Sequence, residues 1–383
     1  MEVHAWKISK LGLSFLLILG LILALVWPNY AVARPRNMAD LKKISDNLLS
    51  TDIKYGSIPA IMNPSYITVN EADLSIDRNE VVFIVAMPDG IHIYPQNIMV
   101  WHQVVNELIN DYAYVVTYCP TTGTLAAFDA SMKGLNLLFD AEGRLYEGNM
   151  ILIDRNSGSL WLQELGMAFE GPLTGRGLPM LHVFWTTWGH AKNVFPRAKV
   201  LNPPNSRKAY GRDPYGSYLK KDTYYDNDVT VYPLKHLDRR LHKKTPMLCL
   251  ELPGGLLGID INYVKKKGAV NFFLGPMALV AMHDMDLDVV RVFDRKVWAE
   301  PFLFVKQNGQ LIDLQTKSNW TASKGTALDG PMKGSKLKEY FGHYSMWMAW
   351  SSINPETKVI PGDGEVSDDL LSQKALEGEG EGD

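Results

Sequence analysis

From Glu80 onward, apolar and polar residues alternate in short runs broken by turn formers, the period-two pattern of half-buried strands. Residues 81–87 read as a strand, Pro88-Asp89-Gly90 as a tight turn, and 91–94 as the returning strand before Pro95. Further strands are expected near Val115, Ala126 and Leu137, with a last pair around Ile151 and Leu160. Residues 101–107 break the pattern. Their spacing predicts a short helix with His102 and Asn106 on one face and Trp101, Val105 and Leu108 on the other. Upstream, 41–49 has helical spacing and 57–61 is rich in turn residues.

The pattern repeats. At a shift of 165 residues Pro88 falls on Pro253, Gly90 on Gly255, Asn106 on Asn271, and Phe128-Asp129 on Phe293-Asp294. At a shift of 159, Asp154 falls on Asp313, Trp161 on Trp320 and Gly166 on Gly325, with extra residues around 146–150 taking up the difference. Trp185 and Trp188 then match Trp347 and Trp350. Because Gly, Pro and Trp exchange poorly in backbone or volume, their ordered recurrence points to a tandem duplication. The expected architecture is β-rich α+β, two sheet-forming units with one principal helix each. The expected organisation is a leader over 1–33, a spacer docking on the domain over 34–79, a first repeat carrying the site over 80–200, a Tyr/Asp/Lys-rich linker over 201–244, a second, structural repeat over 245–360, and an acidic solvated tail over 361–383. The asparagines shared by both copies are expected to make local caps.

The leader changes where the chain is expected to work. Lys7 and Lys10 precede an apolar run over 11–27, followed by Ala31-Val32-Ala33, the small residues a signal peptidase prefers. A cleaved signal and an uncleaved anchor both remain open, and the membrane is a partner only in the second case. Either places the remainder extracytoplasmically. A net charge of -3 without a basic stripe excludes nucleic acid as the main partner.

Two cysteines, Cys119 and Cys249, allow a single bridge or two free thiols. Cys119 ends an apolar run before Pro120-Thr121-Thr122-Gly123, and the second copy has Asp284 in its place. His102 likewise has no histidine counterpart. Residues held by one copy only are the better site candidates, so Cys119 and His102 are taken as the catalytic or metal-binding pair, with Tyr118 and His92 as further ligands. Sulfur and imidazole together favour copper or zinc. A Cys-dependent enzyme with His102 as base, and a non-catalytic ligand-binding or scaffold protein using the groove between repeats, remain open. His182, His190 and His343 show no ligand spacing, and no paired Cys-x-x-Cys motif exists.

Several motifs together resemble the domain of unknown function family 3179. These are Ile58-Pro59-Ala60-Ile61, Trp101-His102 through Asn106-Glu107, Thr117-Tyr118-Cys119-Pro120 with Gly123-Thr124, Ser159-Leu160-Trp161, and Gly171-Pro172-Leu173-Thr174-Gly175. The resemblance spans about 57–359. It implies an exported or membrane-anchored protein and brings no agreed activity. Many relatives read Cys-Pro-Leu-Cys or Cys-Pro-Leu-Thr where this chain has Cys119-Pro120-Thr121-Thr122, so a dithiol mechanism at that turn is excluded here.

Overall fold

The computed structural model describes residues 31–32, 36–132, 134–204, 210–298, 300–367 and 370–371. Residues 1–30, most of the expected leader, lie outside them; Ala31 and Val32 pair with Met180 and Pro179. Among the described residues, no helix is long and apolar enough to cross a membrane.

Strands dominate, with six helices of eight residues or fewer among the described residues. The first half contains β1 (Val81–Met87), β2 (Gly90–Pro95), α1 (Gln96–His102), β3 (Val104–Ile109), β4 (Tyr112–Cys119) and β5 (Thr124–Asp129). A four-stranded antiparallel meander from Phe139 to Glu170 follows, then β6 (Val183–Thr187). The second half runs β7 (Pro246–Leu252), β8 (Gly255–Asp260), α2 (Ile261–Lys267), β9 (Ala269–Leu274), β10 (Met277–Asp284) and β11 (Val289–Asp294), then its own four-stranded meander, and β12 (His343–Met346). The two halves therefore share one element order. Their pins recur as well: Asp154 accepts the Trp161 indole N–H at 2.8 Å, and Asp313 accepts that of Trp320 at 2.8 Å.

The halves join in one sheet, because β5 pairs with β12 at Leu125 and Tyr344, and β12 pairs along β7. Met346 N–H donates to Thr122 O at 2.8 Å across the same seam. The largest core cluster draws on both sides, with Phe83, Tyr118 and Leu125 beside Leu248, Leu257 and Tyr344. The linker is built into this seam. Tyr218 stacks on Tyr225 at 3.7 Å between ring centroids, Tyr218 OH lies 2.9 Å from Tyr118 OH, and Tyr225 packs with Met346 and Met348.

Three local expectations are corrected. Residues 101–107 are not one helix: α1 ends at His102, Gln103 turns left-handed at φ 59°, and β3 begins at Val104. Val104-Val105 is β-branched, and its backbone is taken up by β4 on one side and Ile61 on the other, which outweighs the helical spacing. The asparagines are not local caps. Asn106 donates to Phe139 O at 2.9 Å and accepts Phe139 N–H at 2.7 Å, and Asn271 makes the same pair of bonds with Phe304. Finally, the first part of the expected solvated tail packs on the protein: Phe273 N–H donates to Gly364 O, and Val366 N–H to Asn271 O, each at 2.8 Å. The tail from residue 372 lies outside the described residues.

Candidate metal centre

Glu164, Cys249 and His343 bring a carboxylate oxygen, a sulfur and an imidazole nitrogen within 4.8 Å of one another, all buried. Each position follows from local structure. Glu164 lies in the turn between Leu160–Leu162 and Met167–Glu170, where Gly166 has φ 60° and its missing Cβ leaves room for the ring of Phe128. Glu164 N–H donates to Asn149 Oδ1 at 3.1 Å, which fixes the turn from the neighbouring strand. Cys249 and His343 face each other in register across β7 and β12. The strands can close there because Gly342 precedes His343, and a Cβ at 342 would lie 1.8 Å from Cys249 O.

The carboxylate is fully engaged. Oε1 lies 3.1 Å from His343 Nε2, while Oε2 accepts from Thr124 Oγ1 at 3.0 Å and Ser345 Oγ at 3.1 Å. Behind it runs a buried polar lattice, in which Asn149 donates to Gln163 Oε1 at 2.7 Å and Gln163 donates to Thr117 Oγ1 at 2.9 Å. Trp350 packs edge-on to the His343 ring at 5.4 Å. Burial, and next the Glu164 charge, push the Cys249 thiol well above its ordinary value, so without a cation it is protonated at neutral pH. A buried carboxylate next to a buried thiol and imidazole suits a divalent ion: thiolate and carboxylate cancel its charge, and the hydroxyls already orient the carboxylate. Tetrahedral ligand distances of about 2.0–2.3 Å need donors about 3.5 Å apart. Glu164 Oε1 and His343 Nε2 already lie 3.1 Å apart, and the sulfur, within 4.8 Å of both, would have to move in by up to about 1 Å to reach that spacing.

The residues singled out from the sequence are placed elsewhere. Cys119 is buried, its Sγ 3.1 Å from Thr121 Oγ1 and 3.9 Å from Gly148 O, and burial raises its thiol pKa. His102 is not among its partners. The His102 ring uses Nδ1 toward Pro59 O at 2.7 Å and Nε2 toward Tyr210 OH at 2.8 Å, so both nitrogens are engaged by the protein. Tyr118 is buried against Phe83 and Trp185. His92 is buried with Nε2 3.0 Å from Asp89 Oδ1, an ion-pair distance without hydrogen-bond alignment, and burial lowers its pKa. It lies 3.4 Å from Tyr94 OH, which donates to the buried Glu107 at 2.7 Å; Tyr66 donates to the same oxygen. Both cysteines are free, so no bridge removes either thiol.

Sequence reasoning thus passed over all three residues of the cluster. His343 and Glu164 are 179 positions apart and no spacing rule relates them. Two of the three come from the half expected to be purely structural. The one signal available was that Cys249 and His343 lack chemical counterparts in the first half, where Ile84 and Phe184 pair in their place.

Fold and site define a β-rich α+β protein with a buried carboxylate–thiol–imidazole cluster at the seam of its two halves. Residues 55–357 match the family described as "Protein of unknown function (DUF3179)", and the chain belongs to that family. No curated protein and no solved structure matches the chain.

Proposed function

We propose that this is an extracytoplasmic metal-binding protein that holds one soft or borderline cation, zinc or copper, at Glu164, Cys249 and His343. The convergence of the three donor atoms within 4.8 Å in the buried interior carries this reading. Zinc suits it best, because a divalent ion with one thiolate and one carboxylate leaves no net buried charge. Three protein ligands leave a fourth coordination position for an exogenous donor. The N-terminal leader, as a cleaved signal or an anchor, delivers the chain to its compartment, and both halves descend from one copied unit. The shared element order supports that descent. Cys119 and His102 serve packing and linker attachment in this reading, since each is engaged by protein groups.

Metal analysis of the purified chain after zinc or copper loading tests the reading. The expected result is one tightly held ion per chain, lost in Cys249→Ser and in His343→Ala. Binding must displace the thiol proton, so affinity rises with pH by about tenfold per unit while Cys249 stays protonated in the free protein. A chain that takes up neither ion, or a Cys249→Ser variant that keeps it, defeats the proposal and leaves a buried Glu–His pair beside a packing cysteine.

A further inference from the structure

Beside the metal cluster, at the same seam, opens a cleft of about 230 Å³. Its walls include Trp185 from the first half, Tyr344 from the second, and Tyr218 and Tyr225 from the linker. We propose that this cleft binds a small planar aromatic carboxylate, its ring against the aromatic walls and its charge met by Lys244. The proposal is independent of the metal reading.

Three observations carry it. The first is an unused donor. Six of the eight described tryptophans donate their indole N–H to a protein acceptor. Trp298 is 82% exposed and meets water. Trp185 is half-buried in the cleft wall and has no protein acceptor for its N–H among the described residues. This N–H is reached by solvent, and a ligand acceptor in the cleft can take the place of water there.

The second observation is charge. The cleft is lined by two lysines and no acidic residue. Asp288 neutralises Lys265 at 2.7 Å. Lys244 Nζ donates to Tyr224 O and to Asn227 Oδ1 at 3.1 Å, and has no carboxylate at ion-pair distance among the described residues. Burial first, then Lys243, pull its pKa down to about 8 against the opposing charges of Asp226 and Asp228, and its Nζ lies 3.8 Å over the Tyr224 ring. An anion entering the cleft would offset these costs by its opposite charge and favour the charged ammonium.

Shape is the third. Tyr218 is held by its stack on Tyr225 and lies edge-on to Trp185 at 5.1 Å, with its hydroxyl fixed by Tyr118. The wall is ordered before any ligand arrives, which lowers the entropic cost of binding. A cavity of roughly 150 Å³ admits one benzene ring. The cleft therefore has room for one substituted ring or two fused ones.

Calorimetry and tryptophan fluorescence on the full chain test this with indole-3-acetate as probe. The expected result is saturable binding of one probe per chain, with neutral indole and non-aromatic cyclohexanecarboxylate each at least tenfold weaker. Lys244→Met should cost at least tenfold, and Trp185→Phe, which keeps a ring but removes the N–H, several-fold. Affinity for the wild-type chain should fall as pH rises through 8, where Lys244 loses its proton. Cys249→Ser should bind the probe unchanged, which separates this site from the metal centre. No saturation at millimolar probe, indole binding as tightly as the acid, or affinity flat across pH 7–9 overturns the proposal. The pH profile and Trp185→Phe decide the question even if Lys244→Met fails to fold.

Discussion

Two cysteines of this chain end in similarly buried strands and differ in the groups their thiols face. Cys119 and Cys249 both lie in strands, are fully buried, and have thiols whose protonated form is favoured by burial. Cys249 alone faces a carboxylate and an imidazole. Reactivity is set by what a thiol faces, and a turn proline beside Cys119 supplies neither base nor cation. Cys119→Ser should therefore leave metal content unchanged and lower stability by about 1–2 kcal/mol for a polar swap in a core, measured by denaturant unfolding. The same substitution at Cys249 should remove the ion. That pair of variants distinguishes the two thiols, and the reverse outcome would return the site to Cys119. The uniqueness of Cys119 and His102 to one half was legible in the sequence; their engagement by Gly148, Pro59 and Tyr210 was not, because those partners lie on other elements.

At the scale of the element, α2 is positioned by charge as much as by packing. Asp260 caps its start, accepting from Asn262 N–H at 2.8 Å and Tyr263 N–H at 3.2 Å. Lys265, near its end, is tied to Asp288, which also meets His283 Nε2 at 2.8 Å. Burial alone would push the Asp288 carboxyl up, but the hydrogen bonds from His283 and Lys265 outweigh it and hold its pKa at about 2. A depressed folded pKa contributes stability above the unfolded carboxylate value near 4 and loses it as pH falls toward 2. Asp288→Asn should therefore destabilise the chain at pH 7, with the difference shrinking between pH 4 and pH 2. An unchanged difference at acid pH would show that the ion pair contributes nothing. The strand β3 teaches the companion lesson. Its spacing read as helical, yet its β-branched start and two waiting partners, β4 and Ile61, made it a strand.

For the whole molecule, a cation held by the proposed cluster would be coupled to global stability, because the cluster straddles the seam. Glu164 belongs to one half, Cys249 and His343 to the other, and unfolding separates them. A cation bound only by the folded chain should raise stability by about 2.7 kcal/mol at a hundredfold excess over Kd, read as a higher thermal midpoint with zinc that is absent in His343→Ala. An equal shift in both proteins would place the ion elsewhere. The sequence by itself determined what is local or periodic: strands from alternation, turns from Gly and Pro, the recurring order of the two halves, and the motifs of the family. These follow from backbone preferences that act within a few residues. Only the tertiary structure decided which thiol meets which imidazole, that Asn106 and Asn271 pin strands 33 residues away, and that the linker tyrosines wall a cleft. Such meetings depend on strand pairing across the seam, and side chains far apart along the chain carry no spacing that foretells them.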